Sequence, residues 1–368
     1  IGGLGNDSVI GGDGNDSVTG GLGNDTISGG LGTDRLIETS DTDLTLTSTS
    51  LIGLGSDTIS AIEQAILTGG PSNNSILASA FVGTVTLQGA GGNDSVMGTT
   101  GADSLVGGDG DDTLAGDSGN DTLVGGAGDD RYLFDVDNVL GSDTLNESGG
   151  GIDTLDFSVT TTRTLTINLS TASSQTVSAS FLTLTLGAST SFENVIGGAL
   201  GDSITGNSLG NLLVGGPGND TYVFDADGPL GSDTLDESGG GVDLLSFSLT
   251  TTQSINLDLG QAAAQVVNAN LTLALSSASD FENVTGGSLG DVLGANSAAN
   301  SLVGGAGNDR YVFDADGALG SDTVNESGGG LDTLDFSPSS LGVTVTLATA
   351  TTQTRRRTTG SSRPVLDP

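Results

Sequence analysis

The chain has 368 residues, of which 63 are glycine, 46 are acidic and eight are basic, all eight arginine, for a formal net charge of −38. Histidine, cysteine and tryptophan are absent, which excludes an imidazole general base, a thiol nucleophile and a typical zinc site. The negative field argues against nucleic acid as a partner, because phosphate contacts need Lys or Arg, and no run of about 18 apolar residues offers a transmembrane helix.

Low apolar content with high net charge usually marks disorder, but here the pattern is regular. Residues 2–10, 11–19, 20–28 and 29–37 each fit G-G-x-G-x-D-x-U-x, where U is a large aliphatic. Asp7, Asp16, Asp25 and Asp34 stand at position six, and Val9, Val18, Ile27 and Leu36 at position eight. This first run occupies 1–37. A β-rich connector follows over 38–88, with one degenerate frame at 52–60 that makes Asp57 a weak candidate. A second run over 89–133 has five frames, with Asp94, Asp103, Asp112, Asp121 and Asp130 at position six. Its position-eight residues are Val96, Leu105, Leu114, Leu123 and Tyr132, and the frames from Gly89 and Gly98 have lost some glycines.

A longer period then appears. "GGAGDDRYLFDVD" from Gly125 returns in near-identical form from Gly215 and from Gly304, at almost equal intervals. Each copy runs on through "GSDTLNESGGGIDTLDFS" or a variant, and the first two reach "FENV" at Phe192 and Phe281. This divides the rest of the chain into a connector of module one (134–196), module two (197–285), a truncated module three (286–354) and an irregular tail (355–368). In module two, the frames from Gly197 and Gly206 lack Gly at position four and place Asn211 at position six, while Asp202 still stands two frames before Asp220. Module three repeats this with Asp291, Asn300 and Asp309. Because the chain begins at Ile1 with no signal peptide, it reads as a piece of something longer.

No segment sustains an apolar 3.6-residue period, so the expected fold is all-β. Three-residue strands with one inward aliphatic, separated by Gly-rich turns, suit a parallel β-roll or β-helix solenoid with interspersed longer connector strands. Each buried Val or Leu contributes about 1.5–3 kcal/mol, whereas ordering nine residues costs on the order of 9–18 kcal/mol of backbone entropy. Hydrophobicity alone cannot fold this repeat.

The turns account for the shortfall. Glycines at positions one, two and four are expected to permit left-handed backbone and close convergence of carbonyls. Two nonapeptides make one coil, so Asp7 stacks on Asp25, Asp16 on Asp34, Asp94 on Asp112, Asp103 on Asp121, and Asp112 on Asp130. Carboxylates about 4.8 Å apart repel by roughly 3–4 kcal/mol at an effective dielectric of 20. A divalent cation between coils reverses that sign. Carboxylates and carbonyls are hard oxygen donors, and a flexible many-carbonyl cage suits calcium over magnesium. About one calcium is expected at Asp202/Asp220 and one at Asp291/Asp309, fewer than in the tandem runs.

These motifs resemble the RTX (repeats-in-toxin, haemolysin-type) calcium-binding family. The resemblance implies calcium held between successive turns by position-six Asp and loop carbonyls, and a bacterial protein exported unfolded by type I secretion machinery to fold outside the cell or at its surface. It implies a non-catalytic calcium-binding region. The repeat tail of a larger secreted protease, lipase or epimerase, or spacer modules of an adhesin or surface protein, remain alternatives, and the protein or glycan target is unspecified.

Three other features have plainer readings. "FDVDNVLGSDTLNE" fails as an EF-hand: position five is Val139, Glu147 falls at thirteen, and no helix flanks it. The recurring aromatics (Tyr132, Phe134 and Phe157, with their counterparts in modules two and three) read as core plugs, not a carbohydrate platform. The Thr-rich strands read as ordinary exposed strand, and the Arg cluster at 355–357 as a solvated tail.

Overall fold

A computed structural model describes residues 1–147 and 149–345, so the Arg-rich tail lies outside the described residues. Among them there are strands and turns but no helix, and hence no helix long and apolar enough to cross a membrane. The chain divides into two compact units, one spanning Ile1–Gly197 and one beginning at Gly198.

In the first unit a pair of nonapeptides becomes one coil. Strand Ser8–Asp13 pairs in parallel with Thr26–Leu31, placing Val9 beside Ile27, and Val18 pairs with Leu36. In the second run Leu87, Leu105 and Leu123 form one inward ladder and Val96, Leu114 and Tyr132 the other, each step two frames long. Position-eight residues from Val18 to Tyr132 are buried, because alternate strand residues face inward and only these are bulky.

The ladder survives insertions. Ile27 pairs with Ile59, well beyond the usual two frames, and the extra chain is spent on an antiparallel excursion of Leu44–Thr47 against Ser50–Ile52. Past the second run the coils lengthen: Tyr132 pairs with Leu155, and Leu155 with Val195. Strands Gly141–Leu145 and Leu182–Leu186 pair in parallel, with Gln175–Ser178 added antiparallel to the latter.

The second unit repeats this plan. Ile204, Tyr222, Leu245, Val284 and Leu302 make one ladder, and Leu257, Leu293, Tyr311 and Leu334 another. The aromatics fill the wider coils. Phe134 stacks on Phe157, Phe224 on Phe247 and Phe313 on Phe336 at 5.2–5.3 Å, while Tyr132 meets Phe192 edge-on and Tyr222 meets Phe281 likewise. All but Phe336 are buried, so these rings are core plugs.

One expectation about glycine is corrected. Positions two and four do take positive φ, as at Gly108 (131°) and Gly110 (123°), but position one does not. Position one faces inward beside the Asp of its own frame: a β-carbon on Gly20 would lie 2.6 Å from Asp25 Oδ2, and one on Gly11 would lie 2.7 Å from Asp16 Oδ2. That glycine is required by space, not by backbone angle.

Candidate metal centres

The position-six carboxylates form continuous columns along the coil edges. Within each two-frame pair, Oδ1 of the later Asp accepts the backbone N–H of the Asp one coil earlier. Asp25 accepts from Asp7 at 2.7 Å, Asp34 from Asp16 at 2.8 Å, Asp112 from Asp94 at 2.7 Å, Asp121 from Asp103 and Asp130 from Asp112 at 2.8 Å. In the second unit Asp220 accepts from Asp202 at 2.6 Å and Asp309 from Asp291 at 2.8 Å. Every two-frame pairing expected from the sequence is thus brought together, and a hydrogen bond already offsets part of the repulsion between neighbours.

The other oxygen divides these residues into two kinds. Oδ2 of Asp7, Asp16, Asp25, Asp34, Asp94, Asp112, Asp121, Asp130, Asp220 and Asp309 is buried with no hydrogen-bond partner. In their frames positions two and four hold positive φ even where glycine is missing, at Ala90 (88°) and Asp117 (68°). Conversely, Oδ2 of Asp103 accepts the N–H of Thr99 at 2.6 Å, that of Asp202 the N–H of Gly198 and that of Asp291 the N–H of Gly287, both at 2.7 Å. None of those three frames has positive φ at position two or four. Asn74, Asn211 and Asn300 close their turns in the same way, accepting from Gly70, Asn207 and Asn296. An Asx-type turn needs one acceptor and no charge, which is why Asn serves there.

The columns also take in Asp57, the weak candidate of the degenerate frame, and further acids that the nonapeptide pattern does not mark. Asp57 Oδ1 accepts from Asp25 at 2.8 Å across the longer coil, and its Oδ2 is likewise unpartnered. Asp143, Asp153, Asp233, Asp243, Asp322 and Asp332 continue the columns in the longer coils. Glutamates then take over: Glu63 accepts from Asp34, Glu193 from Asp153 and Glu282 from Asp243, each at 2.9 Å. Glu193 and Glu282 are the acids of the two "FENV" motifs. Apart from Asp57, a repeat search at fixed period misses these, because their coils differ in length from the tandem runs. The recurrence of "GGGIDT" and "FENV" was the available signal.

Electrostatics agree with the geometry. Burial, with the charges of Asp130 and Asp94 adding to it, pushes Asp112 up to about 7. Burial and the charges of Asp143 and Asp103 push Asp121 up to about 8. Burial outweighs the hydrogen bond from Gly20 to raise Glu38, which also feels the charges of Asp57 and Asp25. A buried oxygen that no donor satisfies costs free energy until a proton or cation arrives. Oxygen-only donors beside glycine turns fit a hard divalent cation.

Asp135 and Asp137 do something else. Exposed Asp137 accepts from the N–H and hydroxyl groups of Thr161 and Thr162, a turn clasp that Asp227 repeats with Thr251 and Thr252. Those hydrogen bonds hold Asp137 well below the usual carboxylate range.

Comparison with known proteins agrees with this architecture. The model of the RTX calcium-binding nonapeptide repeat, four copies long, matches residues 1–36, 83–105, 88–123, 106–138 and 285–324. No curated protein matches the chain. Those segments therefore carry repeats that match the RTX calcium-binding nonapeptide repeat family.

Proposed function

We propose that this chain is a secreted, non-catalytic region that calcium folds, and that calcium occupies the frames whose Asp Oδ2 is unpartnered. The observation carrying this reading is the column of buried, unsatisfied carboxylate oxygens in frames held open by positive-φ turns. A cation bound only by the folded state adds its binding free energy to stability. Extracellular modules with dissociation constants of about 10⁻⁴–10⁻³ M stay empty where calcium is scarce and fill outside the cell. That difference suits a chain exported unfolded by type I machinery. Recurrence of the same plugs and acids at almost equal intervals supports a spacer role as a second reading, in an adhesin or behind a secreted enzyme. Calcium titration followed by circular dichroism and small-angle scattering, with reversal by EGTA, tests the proposal. Loss of β signal and expansion in EGTA are expected; a compact β-structured chain in EGTA would overturn it.

A further inference from the structure

Three carboxylates meet once per module. Asp130, Glu147 and Asp153 offer ligand atoms all within 4.8 Å of one another, as do Asp220, Glu237 and Asp243, and Asp309, Glu326 and Asp332. All three acids are buried in the first two sets, and Asp309 is buried in the third. In each set the Glu stands at the same place between its two Asp residues. The Glu belongs to no nonapeptide position, and "LNESGGGID" and its variants carry it into the coil. Glu147 is 8% exposed and Glu237 is 2% exposed. Oδ2 of Asp220 and of Asp243 is buried and unpartnered in the same set, and Glu237 has the Tyr222 hydroxyl as its neighbour. Oδ2 of Asp130 and of Asp309 and one oxygen of Glu326 are unpartnered likewise.

A tyrosine stands at each set. The Tyr132 hydroxyl donates to Glu147 Oε2 at 2.5 Å and accepts the N–H of Gly125 at 2.5 Å, which fixes the carboxylate's orientation. Tyr311 donates to Glu326. Tyr222 stands beside Glu237 and donates to the Asp236 carbonyl at 3.4 Å.

We propose that each set is a three-carboxylate calcium site, in which the position-six Asp of a module's open nonapeptide frame is joined by a Glu and an Asp from outside the repeat, and which locks that frame to the longer connector coil. Three negative groups brought together in this way require a counter-charge. The ligand atoms all lie within 4.8 Å of one another, close enough for one calcium ion with oxygen ligands about 2.3–2.6 Å away to bridge them. The inference rests on the calcium reading for the identity of the ion.

Terbium, a hard trivalent probe for calcium sites, tests this on the full chain. The protein has three tyrosines and no tryptophan, so emission excited through tyrosine reports terbium next to these sets, while direct laser excitation reports every site. Glu147→Gln, Glu237→Gln and Glu326→Gln are each expected to remove about a third of the tyrosine-sensitised emission, one set of three. Directly excited emission and the calcium-induced β signal should remain largely intact. Unchanged sensitised emission in all three variants would overturn the proposal. If a variant fails to gain β structure with calcium, the wild-type decay decides instead. A long sensitised lifetime equal in H₂O and D₂O marks a site closed to water, whereas a fully water-quenched lifetime overturns it. Absence of calcium-induced folding in the wild type would instead count against the broader calcium reading.

Discussion

Replacing Asp112 by Asn should weaken the fold in a manner that grows with calcium, whereas replacing Asp103 by Asn should weaken it by a constant amount. The Asp112→Asn side chain keeps an oxygen for the Asp94 N–H now held at 2.7 Å, but it exchanges the unpartnered Oδ2 for an amide. Asp112 belongs to two stacked pairs, with Asp94 below and Asp130 above. A site with a dissociation constant of about 10⁻⁴–10⁻³ M contributes roughly 1.4–2.7 kcal/mol at about 10 mM calcium. Two weakened sites therefore lose about 3–5 kcal/mol, and the deficit widens by about 2.7 kcal/mol per tenfold calcium. Asp103 accepts from Val85 at 2.7 Å and from the Thr99 N–H at 2.6 Å, so Asn there sets a donor against a donor. That mismatch costs about 1–3 kcal/mol irrespective of calcium. Urea unfolding across a calcium series, with bound calcium counted by equilibrium dialysis, separates the cases. Parallel calcium dependence for the two variants, or equal loss of bound calcium, would refute the division between open and self-closed frames.

Gly20→Ala should destabilise the calcium-loaded protein by about 1–3 kcal/mol through overpacking against Asp25 Oδ2 and Ile27, read as a lower urea midpoint in calcium. Without calcium, acid should partly replace it. Asp112, Asp121, Asp143 and Asp153 titrate near 7 or 8 when folded, above the unfolded carboxylate range. Their contribution is therefore fully present below the unfolded pKa of about 4 and lost as pH rises through about 7–8. Circular dichroism in EGTA should gain β signal between pH 8 and pH 5, and no change would contradict the burial of these acids. In calcium the sign reverses, because protons compete for the same oxygens, and falling pH should lower bound calcium. Phe247→Ala removes the partner stacked 5.2 Å from Phe224 in a fully buried plug. A loss of about 3–5 kcal/mol is expected, and a wild-type urea midpoint would show that the plug is dispensable.

The nonapeptide period by itself determined the coil, the inward aliphatic ladder, the stacking of each Asp on the one two frames away and the hard-cation chemistry. These follow because positions in a strict repeat keep one relation to each other, so spacing along the chain translates directly into neighbours in space. Asp7, Asp25, Asp112 and Asp130 could be paired on paper for that reason. Only the tertiary structure decided which carboxylates keep an oxygen free. Whether position two donates its N–H back, as Thr99 does to Asp103, depends on φ at positions two and four. Composition misjudges that choice, since Ala90 and Asp117 take the open form and Gly198 and Gly287 do not. Position-one glycine looked like a backbone requirement and proved a spatial one, visible once the Asp carboxylate is seen against it. Asp57 and Glu147 reach their places through coils of irregular length, closed by long-range strand pairing and aromatic packing. Glu147, discarded as a misplaced EF-hand ligand, meets Asp130 and Asp153 only because the chain between them folds back into register.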